Sequence, residues 1–119
     1  MSSFDRILKL LFWAALIFAY VAAILPQADA PRIAPSDKLD HMLAFFTLAV
    51  LAGLAWRRTA AWRIGMPLIM IGAAIEFTQA IPALQRDAST ADFAADVLAI
   101  LVGLGVATLV RSRLARREV

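Results

Sequence analysis

The sequence predicts an all-α membrane protein in which four transmembrane helices form a bundle with both termini in the cytoplasm. Hydrophobic residues make up 62% of the 119 residues and charged residues only 18%, which is too apolar for a domain with a wet surface. Four apolar stretches of about 20 residues follow one another, the length needed to cross a hydrocarbon core about 30 Å thick. The distribution of charge then orients the bundle.

The four spans are separated by short polar or proline-containing connections. The first stops at Pro26 and the third at Pro82, because proline cannot continue a helix. Apolar residues surround each span instead of forming one stripe, as expected of helices that contact lipid. In a single domain over residues 1–119, the expected spans are about 7–25, 38–56, 61–81 and 90–110.

Lysine and arginine are concentrated in three segments of the chain. Nine of the twelve lie at the N-terminal end, in the connection over 57–63 and in the C-terminal tail "RSRLARREV". Short loops rich in Lys and Arg stay in the cytoplasm, so both termini and this connection are expected inside. The lipid bilayer is therefore the expected partner of this basic protein, and no nucleic acid is expected.

The first span has a competing interpretation. The triplet "ADA" at 28–30 follows a basic start and an apolar run, and it resembles a signal-peptidase site. Cleavage after Ala30 stays open, although the apolar run is longer than the usual signal-peptide core of about 7–15 residues. Both alternatives leave the other three spans with the same orientation.

The acidic residues lie mostly at the opposite end of the predicted bundle. Glu76 and Asp96 each lie about 9 Å along a helix from its outer end. Ionisable groups at such depth normally face a bundle interior or a wet cavity. The seven acids in outer loops or outer halves of helices are Asp29, Asp37, Asp40, Glu76, Asp87, Asp92 and Asp96.

Helical spacing places the polar residues of three helices on inward faces. Asp92 and Asp96 are one turn apart, on a side of the fourth helix that continues through small residues, as in closely packed membrane helices. These small residues are Ala99, Gly103 and Ala107. The comparable faces of the second and third helices are Asp37, His41 and Ala44, and Gly72, Glu76 and Gln79. We expect one polar site between helices two, three and four, near the outer face.

Helix-start signals accompany this site. Asp37 is expected to cap the second helix, because carboxylates favour helix N-termini. Ser89 and Asp92 match a capping box, S-x-x-D/E. Arg86 is the one cation of the loop before the fourth helix and a candidate partner for Glu76 or for the two aspartates of that helix.

Three motifs occur in order along the chain: Asp37-Lys38-x-x-His41, Glu76-x-x-Gln79 and Arg86-x-x-Ser89-x-x-Asp92. Together they resemble the VanZ-like family of small bacterial membrane proteins, named after a protein associated with low-level teicoplanin resistance. The resemblance covers about Asp37 to Gly103. The family usually has asparagine where this chain has Asp96, and often glycine where it has Ala99.

The resemblance implies a multi-pass protein of the bacterial inner membrane that acts in the cell envelope. Its expected role is non-catalytic recognition of a lipid-linked envelope precursor or a lipoglycopeptide antibiotic, with a contribution to low-level resistance. The residues expected to bind this ligand or to form a polar network are Asp37, Lys38, His41, Glu76, Gln79, Arg86, Ser89, Asp92 and Asp96.

Three alternatives stay open. In the first, the polar residues serve only to hold the helices in register. In the second, Glu76 exchanges a proton for a cation in a small transporter. In the third alternative they form a membrane-embedded acid/base or metal-dependent enzyme. The chain has one histidine, no cysteine and none of the HExxH, P-loop or GxSxG motifs. No cofactor or metal is therefore expected, and the weak metal candidates are His41, Glu76 and Asp92.

Overall fold

All regular secondary structure is helical in the residues that the computed structural model describes. These are 2–25, 36–84 and 89–118, apart from the side chains of Asp37, Leu84, Arg116 and Glu118. The four long helices are α1 (Ser3–Ile24), α2 (Asp37–Ala55), α3 (Ala61–Gln79) and α4 (Thr90–Glu118), and a short 3-10 helix covers Pro82–Leu84. Each long helix has the length and apolar composition needed to cross a membrane. The prediction of an all-helical chain with four such helices is confirmed.

Two helices extend beyond the predicted spans. α1 begins at Ser3 because Ser2 and Asp5 form a capping box, in which the Asp5 N–H donates to Ser2 Oγ at 3.1 Å and the Ser2 N–H donates to Asp5 at 3.3 Å. α4 continues through the basic tail to Glu118, where arginine, leucine and alanine are strong helix formers. The sequence "ADA" at 28–30 lies outside the described residues.

The four helices form an elongated bundle of 54 × 25 × 24 Å. α2 packs most extensively on α4 and next on α1, while α3 packs on α4 and more weakly on α2 and α1. The order around the bundle is therefore α1, α2, α4, α3. The end of the bundle at which α2 and α4 begin is called the acidic end. The opposite end, at which α2 ends beside the first turn of α1, is called the basic end.

Small side chains allow α2 and α4 to approach closely. Ala49 of α2 and Ala107 of α4 are completely buried. A Cβ atom added to Gly103 would lie 2.7 Å from the Cβ of Ala49 and 2.8 Å from the carbonyl oxygen of Phe46. Ala99 is also buried, so the small-residue face predicted for the fourth helix is confirmed as its contact with α2.

The outside of the bundle is rich in large apolar side chains. Leu10 of α1, Met70 and Phe77 of α3 and Leu109 of α4 are each at least 66% exposed. Soluble monomers rarely expose contiguous apolar surface of this extent. The polar side chains at the acidic end therefore lie within a bundle that is apolar both inside and outside.

Candidate functional site

Ionisable side chains from three helices meet at the acidic end. The imidazole of His41 on α2 and the carboxylates of Glu76 on α3 and Asp96 on α4 each have one ligand atom within 4.8 Å of the other two. Asp96 is 1% exposed, whereas His41 and Glu76 are half-buried. We call these three residues the polar cluster.

The position of each residue along its helix explains why the polar cluster forms. His41 lies near the start of α2, Glu76 lies in the last turn of α3, and Asp96 lies two turns into α4. Gly72, one turn before Glu76, makes room beneath them. A Cβ atom at Gly72 would lie 3.5 Å from the ring of Phe45 and 3.9 Å from Cβ of Asp96. The ring of Phe45 therefore forms an apolar boundary on the inner side of the polar cluster.

The start of α4 is capped by residues of two different helices. The Asp92 N–H donates to Ser89 Oγ at 3.0 Å, as the predicted capping box requires. The Ser89 N–H donates at 3.0 Å to Glu76 Oε2, on α3. A capping box normally uses its own third residue for this second bond. Glu76 thus helps to cap α4 and also belongs to the polar cluster.

The carboxylate of Asp92 instead faces α2. It lies 3.6 Å from the Lys38 ammonium, and the Lys38 and Asp92 side chains are 50% and 19% exposed. Exposed ion pairs contribute about 0–1 kcal/mol, so the energetic role of this pair is small. Its position at the rim ties α2 to α4 above the polar cluster.

α1 also contributes to the acidic end, which the sequence did not indicate. Gln79 is 1% exposed, and its Nε2 donates to the carbonyl oxygen of Ala23 at 2.9 Å. A backbone carbonyl near a helix end needs a partner when it is buried. In the sequence, only the amide residue at position 79 indicates this contact, because the acceptor is a backbone atom of the apolar helix α1.

The residue that caps α2 is Ser36, and the prediction that Asp37 caps it is wrong. Ser36 is the residue before the helix, and its Oγ accepts from the Leu39 N–H at 3.2 Å. Serine is among the preferred residues at this position. Asp37 is the first helical residue, and its side chain lies outside the described atoms.

The structure therefore brings most of the predicted site residues to the acidic end. His41, Glu76 and Asp96 form the polar cluster, while Lys38, Ser89 and Asp92 lie at its rim. Asp92, one of the weak metal candidates, lies outside the polar cluster, and Asp96 occupies that place. The prediction for Arg86 concerns a residue outside the described ranges, as do those for Asp29 and Asp87.

At the basic end, a cavity of about 580 Å³ lies between the ends of α1, α2 and α4. Arg57 contacts Asp5 at 3.3 Å, and the Lys9 ammonium lies 5.3 Å from the ring centroid of Trp56. Arg111 donates to the carbonyl oxygens of Arg57 and Thr59. These basic side chains bind groups of the protein and fix the end of α2.

The chemistry of the acidic end is that of hydrogen-bond acceptors in an apolar surrounding. Two carboxylates accept bonds from ammonium or hydroxyl groups, and an imidazole both donates and accepts in its neutral form. The same three groups are also ligands for divalent cations.

Comparison with family models, curated proteins and solved structures finds no match to this chain.

Proposed function

We propose that this chain is a VanZ-like multi-pass protein of the bacterial inner membrane, and that its acidic end recognises a lipid-linked envelope precursor or a lipoglycopeptide antibiotic. By this binding it contributes to low-level glycopeptide resistance. The observation that carries the proposal is the polar cluster, in which side chains of three helices meet within 4.8 Å inside an otherwise apolar bundle.

Stability alone is a poor reason to keep such a cluster. Polar contacts between membrane helices contribute about 0.6 kcal/mol on average. Placing a charged side chain at the bilayer centre costs about 2.5–3.5 kcal/mol, and less near the interface. Leucine or alanine at positions 41 and 96 would avoid this cost, which supports a role in binding over a role as scaffold.

The geometry of the rim suits a ligand that remains attached to the membrane. His41 and Glu76 are half-buried, so part of these two side chains reaches the surface at the acidic end. The carboxylates accept hydrogen bonds from amino and hydroxyl groups of a sugar or peptide head group. Lys38, whose side chain is 50% exposed, offers a charge to a phosphate, while the apolar exterior contacts the lipid chain.

The distribution of basic residues supports an orientation with the acidic end outside. Arg57, Arg58 and Arg111 lie at the basic end, and positive charge near short loops marks the cytoplasmic side. Reporter domains fused after Val119 are therefore expected to be active only if the reporter works in the cytoplasm. Activity of a reporter that works only outside the cytoplasm would contradict this orientation.

Direct binding tests the proposed recognition. The full chain is reconstituted in lipid nanodiscs, and its affinity is measured for a lipid-linked disaccharide-peptide precursor, for a lipoglycopeptide and for phosphatidylglycerol. We expect saturable binding of the precursor or the lipoglycopeptide, at least about tenfold tighter than that of phosphatidylglycerol, a difference of about 1.4 kcal/mol. Equal affinity for all three would contradict the proposal.

A further inference from the structure

We infer that the polar cluster is also a binding site for one divalent transition-metal ion of the Mn²⁺ to Zn²⁺ group. This inference concerns the chain's own residues and does not depend on recognition of an envelope ligand. One imidazole of α2 and two carboxylates of α3 and α4 present ligand atoms within 4.8 Å of one another. Imidazole and carboxylate are the donors that these ions accept together.

The spacing is close to that of a bound ion. Zinc lies about 2.0–2.2 Å from nitrogen and oxygen ligands, so the ligand atoms of a tetrahedral site lie about 3.4 Å apart. To reach this spacing from the present one, the ligand atoms must move by distances on the order of 1 Å. Rotation of a side chain is enough for such a movement. Three protein ligands would leave at least one position open, as in zinc sites that bind water or substrate.

Charge favours a divalent ion at this place. Two of the three groups are carboxylates, and one of them belongs to Asp96, which is 1% exposed. Carboxylates in buried surroundings are normally paired or coordinate metals. A divalent cation would bond to all three groups at once, and its positive charge suits the two carboxylates.

A second contact supports the assignment of Glu76 as a ligand. Its Oε2 accepts from the Ser89 N–H at 3.0 Å, so a backbone group of another helix fixes the carboxylate. Ligating carboxylates are typically held by hydrogen bonds of this kind. By contrast, the Asp92 carboxylate faces the Lys38 ammonium at 3.6 Å, and it is expected to take no part in binding the ion.

Equilibrium dialysis followed by elemental analysis tests the inference. Tag-free protein in detergent is equilibrated separately with Zn²⁺, Mn²⁺ and Mg²⁺. We expect about one Zn²⁺ or Mn²⁺ per chain and weaker binding of Mg²⁺, because imidazole is a poor ligand for Mg²⁺. Absence of stoichiometric Zn²⁺ and Mn²⁺ from the wild-type chain would overturn the inference, and it would leave the proposed recognition untouched, since that requires no ion.

Matched variants separate the polar cluster from its rim. Asp96→Asn and His41→Gln are expected to weaken binding of the ion by more than about tenfold, since even groups that only orient metal ligands contribute 10–100-fold. Asp92→Asn makes the same chemical change one turn away and is expected to retain the wild-type affinity. Circular dichroism confirms folding of each variant. Equal losses in Asp92→Asn and Asp96→Asn would contradict the site.

Discussion

Replacing Gly103 by alanine is expected to destabilise the protein by about 1–3 kcal/mol, the usual cost of overfilling a packed core. The added methyl group would lie 2.7 Å from Ala49 Cβ and 2.8 Å from the Phe46 carbonyl oxygen. The second of these atoms belongs to the backbone of α2, which a side-chain rotation cannot move. Relief therefore requires that the backbones of α2 and α4 move apart at this contact.

Gly105→Ala provides the matched control. Gly105 lies two residues from both Gly103 and Ala107 and so faces away from the small-residue face, and a Cβ atom there meets no atom within 4 Å. Alanine favours helix over glycine by about 0.8–1.0 kcal/mol, so this variant is expected to be neutral or slightly more stable. Unfolding in a denaturing detergent, followed by circular dichroism, measures both. Equal stability of the two variants would contradict the close packing of α2 on α4.

Glu76→Gln is expected to lower the affinity for the envelope ligand by at least about tenfold while the fold is retained. Glutamine keeps the shape of the side chain and an oxygen that accepts from the Ser89 N–H, now 3.0 Å from Glu76 Oε2. The unfolding free energy is therefore expected to change by less than about 1 kcal/mol. A hydrogen bond to a charged group contributes about 1.5–3 kcal/mol. Glu76→Gln removes this contribution of the carboxylate to ligand binding.

Binding in nanodiscs and unfolding in detergent are measured on the same preparations of this variant. Asp5→Asn is the control, because it makes the same change from carboxylate to amide at the basic end, where Asp5 contacts Arg57 at 3.3 Å. It is expected to leave ligand affinity unchanged. A large loss of stability in Glu76→Gln with normal ligand affinity would show that Glu76 is structural, and the recognition proposal would fail.

The helices and their inward faces follow from patterns within single segments. The length of each apolar stretch predicts α1 to α4, and i,i+4 spacing places Asp92 and Asp96 on the small-residue side of α4. Such patterns identify a face without identifying its partner. The sequence therefore predicted a polar site between three helices, and it did not distinguish Asp96 in the polar cluster from Asp92 at the rim.

Contacts between helices were less accessible to sequence reasoning. The bond from the Ser89 N–H to Glu76 depends on α3 and α4 being neighbours, and the pattern S-x-x-D favoured Asp92 for that place. The bond from Gln79 to Ala23 has a backbone acceptor, which no residue type marks. Ser36, however, directly precedes α2 and is a preferred capping residue, so its role was available from the sequence.

The ligand atoms of His41, Glu76 and Asp96 meet at one place between three helices. The chain has no cysteine, so pairs of introduced cysteines report this proximity without background. The pairs are drawn from His41→Cys, Glu76→Cys and Asp96→Cys, and the controls from Leu39→Cys, Phe77→Cys and Leu98→Cys. The control positions lie on the same three helices but are 45%, 80% and 55% exposed.

Cross-linking by a short bifunctional thiol reagent in native membranes, read by mass spectrometry of the linked peptides, is the most direct measurement. All three pairs among positions 41, 76 and 96 are expected to link within one chain, because their ligand atoms lie within 4.8 Å of one another. The pairs among 39, 77 and 98 are expected to stay unlinked. Failure of the inner pairs, or equal linking of the outer pairs, would contradict the convergence of these three helices on one polar cluster.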